Sequence, residues 1–168
     1  MANDIRGDDV FDSRSVDERI EDLRTSLDFD TIEEIDDELR DLEEEREGMD
    51  QTAPENETRL DEIIAETHAL TLRKADILAE QDADEVSELA QLEAFKASCE
   101  GYCDWDHGTA FIAESYFETY AEELAEDIGA IQSDAAWPNN HIDWKAAAAE
   151  LRIDYTEEDL DGTTYLFR

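Results

Sequence analysis

Apolar residues return at threes and fours along the first hundred positions, with long polar stretches between them. Val16, Ile20, Leu23 and Leu27 predict a first helix, opened by Ser15-Val16-Asp17-Glu18 in the capping-box pattern. A second helix is expected from Thr31, with Glu34 three residues on and Ile32, Ile35, Leu39 and Leu42 as its seam. Gly48 and the stretch 50–57, which contains Pro54, end it. Leu60, Ile63, Ile64, Thr67, Leu70, Ile77 and Leu78 continue the helical period. After a polar break at 81–84 it resumes with Val86, Leu89, Leu92 and Phe95, to about Ser98. These seams are narrow, closer to a coiled-coil hairpin than to a broad globular face.

The pattern changes at Gly101. Most aromatic residues lie beyond it, so a compact core is expected there. Phe111, Ile112, Tyr116, Phe117, Tyr120, Leu124 and Ile128 predict an amphipathic helix closed by Gly129 in a left-handed conformation. Trp137-Pro138-Asn139-Asn140 reads as a turn, and Asp143 as the cap of a short alanine-rich helix through Leu151. Residues 155–167 read as a β-hairpin around Asp161-Gly162, a pair suited to a type I′ turn. The expected fold is mainly α, with α+β at the C-terminus. A disordered acidic segment (1–14) precedes an acidic helical hairpin or coiled-coil arm (15–100), and a small α+β domain (101–168) ends in a β-hairpin. Trp105, Trp137 and Trp144 are expected as core anchors of that domain.

Charge alters what this fold is for. The 168 residues carry 50 Asp and Glu against 13 Lys and Arg, a formal net charge of −37, although 40% are apolar and a core is affordable. Solubility of a small domain needs a net charge of only about 2–8 in magnitude, and a larger excess strains the compact state. Nucleic acid and anionic membrane are excluded as direct partners, because both repel such a surface. A strongly basic partner, such as a DNA-binding protein, explains the excess. Adaptation to high salt is the other explanation, and ten arginines against three lysines keep it open. The sequence has no apolar run of membrane-spanning length and no basic-then-apolar leader, so a cytoplasmic location is expected.

Catalytic chemistry is hard to place. His68, His107 and His141 have no nucleophile in a recognisable motif, and there is no glycine-rich phosphate loop. No enzyme activity, cofactor or metal is expected. Cys99-x3-Cys103-x3-His107 has zinc-like spacing, but Gly101 interrupts the helix and no fourth ligand is indicated. The run from Glu157 to Gly162 begins like a calcium loop, yet Arg168 stands where its bidentate Glu is required.

The acid run of the second helix is the most informative feature. Residues 30–50 hold twelve carboxylates and two arginines, Arg40 and Arg46. As a helix this is one carboxylate per ~2.6 Å, of the order of the duplex charge spacing of about 1.7 Å. Solvated helices ordinarily alternate charge sign to gain i,i+4 pairs. This one mostly does not, nor does Glu122-Glu123-x-x-Glu126-Asp127. The carboxylates expected to meet a partner on the second helix are Glu33, Glu34, Asp36, Asp37, Asp41, Glu43 and Glu44.

Residues 101–168 resemble the C-terminal part of ArdA-type antirestriction proteins, acidic DNA mimics of plasmids and phages. The resemblance rests on Tyr116-Phe117-x-x-Tyr120, Gly129-Ala130-Ile131 and Ile142-Asp143-Trp144, then Ala147, Leu151 and Asp161-Gly162-x-x-Tyr165-x-Phe167. It implies a non-enzymatic inhibitor that occupies the DNA-binding cleft of a type I restriction–modification enzyme in a bacterial host cytoplasm. The implied negative surface maps onto Glu118, Glu122, Glu123, Glu126, Asp127, Asp134, Glu157, Glu158 and Asp159. Residues 1–100 depart from the family, whose members carry mixed α/β domains there, so the exact target stays open and another DNA-binding defence complex, such as a CRISPR effector, is a further candidate. The alternative is an acidic coiled-coil adaptor or assembly protein that binds through its apolar seam. A homodimer through the arm is compatible with either.

Overall fold

The computed structural model describes residues 5–50, 53–132 and 137–168. Among these the chain is mainly helical, with a four-stranded antiparallel sheet. Its elements are β1 (Val10–Asp12), α1 (Ser13–Ser26), α2 (Phe29–Gly48), α3 (Glu57–Glu80), α4 (Ala83–Cys99), β2 (Ala110–Ala113), α5 (Phe117–Asp127), α6 (Trp144–Leu151), β3 (Thr156–Leu160) and β4 (Thr163–Phe167). Two compact units result, one of residues 1–21 and 89–168, the other of residues 22–88.

The first unit is organised by its sheet, ordered β1-β2-β4-β3 with every neighbouring pair antiparallel. Strand alternation sends Phe11, Phe111, Tyr165 and Phe167 to one face and Ile112 and Leu166 to the other. On the first face Phe95 of α4 meets the Phe111 ring edge-on at 5.0 Å, and Phe11 meets Tyr165 at 4.8 Å. Trp105 packs 5.8 Å from Phe111. On the second face Ile112 and Leu166 are buried with Phe117 and Ala121 of α5 and Ala148 of α6. The hairpin expected around Asp161-Gly162 is present. Both residues have positive φ (52° and 79°), as a type I′ turn requires.

Phe111 and Ile112 are in a strand, not in the amphipathic helix that their spacing to Tyr116 and Tyr120 predicts. The four apolar residues 110–113 satisfy either period. Backbone pairing to β1 and β4 on both sides decides for the strand, and the helix starts at Phe117. The N-terminal segment expected to be disordered supplies β1 from residue 10. The first helix is capped by Asp12, whose Oδ1 accepts from the backbone N–H of Arg14 (2.8 Å) and Ser15 (3.1 Å). Ser15 is therefore inside the helix rather than at its cap. Buried Ser13 links that start to the loop before β2: its Oγ donates to the Trp105 carbonyl (2.7 Å) and accepts from Thr109 N–H (3.0 Å).

The second unit is a helical hairpin. Cross-links between Glu45 and Arg59, Asp36 and Lys74, and Leu27 and Gln81 run in opposite order along the chain, so α2 and α3 are antiparallel. Ile32, Ile35 and Ile63 are buried between them, while Leu39, Leu42, Leu60 and Leu70 are only half-buried. The break expected at 81–84 is where Asp82 caps α4, its Oδ1 accepting from Asp84 N–H at 2.8 Å. The two compact units divide at 21/22 and 88/89, and Phe95 packs in the aromatic core of the sheet. Trp105 is buried and Trp144 half-buried, but Trp137 is 76% exposed and anchors no core.

Phe111 touches four aromatic rings and is fully buried. Phe111→Ala is expected to lower unfolding free energy by about 3–5 kcal/mol, read from the urea midpoint by near-ultraviolet circular dichroism. A loss below about 1 kcal/mol would mean that the aromatic face does not hold the sheet.

Candidate functional site

The helical unit carries the denser carboxylate surface because α2 spends only a narrow stripe on its neighbour. Ile32, Ile35, Leu39 and Leu42 take that stripe, and the remaining circumference is free for acids. Glu33, Glu34, Asp36, Asp37, Asp41, Glu43 and Glu44 are all exposed. Four of them face a cation. Arg24 Nη2 reaches Glu33 at 2.9 Å, Lys74 Nζ holds both oxygens of Asp36 (2.5 and 2.6 Å), and Arg40 and Arg46 form ion pairs with Asp37 and Glu43 one turn back at 2.8 and 3.8 Å. Glu34, Asp41 and Glu44 form no ion pair among the described residues, and neither do Glu38 and Glu47. Glu34, Glu38 and Asp41 follow one another at four and three residues, a ridge of carboxylates about 5–6 Å apart. Glu38 and Glu47 were legible from that spacing to Glu34, Asp41 and Glu44.

Arg59 secures the far end of the hairpin. Its guanidinium bonds both oxygens of Glu45 (2.8 and 2.7 Å) and reaches Glu62 and Glu66 at 3.3 and 3.4 Å. The Glu45 bond holds that carboxyl below its ordinary range and raises the arginine. In solvent such pairs contribute little each to stability. Their larger effect is to remove cations from the surface that a partner meets.

In the sheet-containing unit the sequence-identified acids fall in two groups. Glu118, Glu123 and Asp127 of α5 are exposed, and Glu122 and Glu126 are half-buried. Glu123 accepts a 2.7 Å bond from the Tyr116 hydroxyl, which raises that phenol. Glu157, Glu158 and Asp159 stand on β3, an edge strand. Arg152 bonds Glu157 at 2.7 Å and Glu114 as well, and these two carboxylates raise the arginine. Asp159 accepts from Gly162 N–H at 3.0 Å and braces the turn. Charge on an edge strand also blocks pairing with another chain, so the β3 acids have structural work of their own. Asp134 lies outside the described residues.

The Cys-x3-Cys-x3-His segment does not gather as a ligand set. Cys99 is buried, Cys103 Sγ donates to the Cys99 carbonyl (3.4 Å), and His107 Nδ1 bonds Asp104 (2.8 Å). Among the described residues no three His, Cys, Asp or Glu side chains gather as metal ligands. Burial raises the Cys99 thiol from 9.0 to about 12. No helix among the described residues is long and apolar enough to cross a membrane. Neither a protein-family model nor a curated protein nor a solved structure matches the chain.

Two outcomes are expected from these charges. Raising NaCl from 20 to 500 mM screens the unpaired acids and increases the thermal midpoint, by on the order of 2–4 °C per kcal/mol of repulsion relieved. A chain that circular dichroism finds unfolded at 20 mM would instead assign the acidity to life at high salt. At pH 8 iodoacetamide is expected to modify Cys103 in the folded chain and both cysteines in urea, as mass spectrometry of peptides reads. Above pH 9 the unfolded thiol of Cys99 ionises before the folded one, so its contribution to stability is lost between pH 9 and about 12.

Proposed function

We propose that the protein is an acidic DNA mimic that occupies the DNA-binding site of a basic partner. The observation that carries this reading is the exposed ridge of Glu34, Glu38, Asp41, Glu44 and Glu47, which has no ion pair among the described residues although arginines are within the same hairpin. Like charges one turn apart cost a few tenths of a kcal/mol each, and a basic groove is what offsets them. The α2–α3 pair acts as a coiled-coil arm, and its carboxylates stand in for phosphates. Association is then fast, steered by charge and weakened by salt. The protein performs no chemistry and needs no cofactor.

The ArdA-type resemblance of residues 101–168 adds the target class, a type I restriction–modification enzyme or another DNA-binding defence complex such as a CRISPR effector, met in a bacterial cytoplasm. In this reading the α5 acids are a separate set of phosphate-mimicking carboxylates. One observation favours a second reading, an acidic coiled-coil adaptor: Leu39, Leu42, Leu60 and Leu70 remain half-exposed on the hairpin.

The test is displacement of a labelled duplex from a type I methyltransferase core at about 50 and 200 mM salt. Stoichiometric release that falls steeply with salt is expected. Changing Glu34, Glu38, Asp41, Glu44 and Glu47 together to lysine should abolish it. Release that survives this reversal sinks the mimicry reading and leaves the adaptor.

A further inference from the structure

The hairpin carries more than charge. Alongside the α2–α3 seam runs an open groove of about 430 Å³, lined by Leu42, Ala69 and Leu70 with Glu38, Asp41 and Glu66 around them. Its existence follows from the sequence. Two helices alone cannot cover both flanks of an apolar stripe, so Leu42 and Leu70 stay half-buried, and Ala69 is too small to fill the space beside them. Apolar residues between acidic residues match the a/d and e/g positions that a further helix would read.

We infer that this groove seats an amphipathic basic helix of the partner, with leucine-like side chains on Leu42, Ala69 and Leu70 and lysines or arginines on Glu38 and Asp41. The inference rests on the proposal above only in requiring a basic partner. Charge selects the occupant. A second copy of this chain would bring its own Glu38 and Asp41 against the same two acids, and like charges face to face oppose docking. A purely cationic segment would satisfy the carboxylates and leave the apolar surface wet. Anchors at i, i+3, i+4 and i+7 with a cationic flank satisfy both parts of the groove.

The probe is a synthetic fourteen-residue helical peptide of leucine and lysine, with leucines on one face. A second peptide of equal charge has serine for each leucine. By calorimetry on the full chain at 150 mM NaCl, the leucine peptide should bind at least about tenfold more tightly, a difference of about 1.4 kcal/mol. Ala69→Trp fills the groove without changing charge and should erase that advantage while circular dichroism stays unchanged. Methyl resonances of Leu42, Ala69 and Leu70 should shift with the leucine peptide and not with its serine counterpart. Equal binding of the two peptides, or an Ala69→Trp variant that binds like the parent, overturns the inference. So does a dimer that Ala69→Trp dissociates without any peptide binding, which would give the groove to a second copy. Lysine at Glu34, Glu44 and Glu47, which do not line the groove, should weaken DNA displacement yet leave the leucine-dependent advantage intact, so the two proposals fail separately.

Discussion

Self-repulsion is the constraint under which every part of this protein is built. Fifty carboxylates against 13 cations must be brought into compact units, and each burial step has to outweigh the charge it concentrates. The chain meets this by placing cations where the backbone brings distant segments together. Arg59 joins the two hairpin helices, Arg152 joins β3 to the segment after β2, and Lys96 joins α4 to Asp17 of α1 at 2.8 Å. Asp17 also accepts from the Trp105 indole at 3.0 Å, so one carboxylate orients both an ion pair and a core ring. Among the described residues acids without an ion pair are left over, on α2 (Glu34, Glu38, Asp41, Glu44 and Glu47) and on α5 alike.

The aromatic face of the sheet supplies the opposing force. Phe11 from the first strand, Phe95 from α4, Phe111 from β2 and Tyr165 and Phe167 from β4 converge from positions more than a hundred and fifty residues apart. Each ring removes a large apolar area from water, at roughly 25 cal/mol per Å². The hairpin unit has no comparable core. Among the described residues its buried apolar side chains are Leu23, Leu27, Ile32, Ile35 and Ile63, and the half-covered Leu42 and Leu70 line the groove. A hairpin this open is poorly suited to be a purely structural element. It presents two chemistries side by side, charge along α2 and an apolar slot beside it.

Much of this was determined by sequence alone. Periodicity located α2 to within about two residues and the helical stretch from Leu60 to about Ser98, which is two helices, α3 and α4; Asp143 was recognisable as a cap (it accepts from Ala146 N–H at 3.0 Å), and Asp161-Gly162 set the type I′ hairpin. These features depend on contacts a few residues apart, for which residue type is sufficient. The exposure of the α2 acids was equally legible, since a narrow seam leaves most of the circumference to water. Tertiary structure decided what short-range patterns leave degenerate. Residues 110–113 fit helix or strand until β1 and β4 pair with them. Asp12 rather than Ser15 caps α1 because the preceding residues are held as β1. Some carboxylates are neutralised only across the fold, as Asp36 is by Lys74, and the groove beside Leu42 takes its other wall, Ala69 and Leu70, from α3.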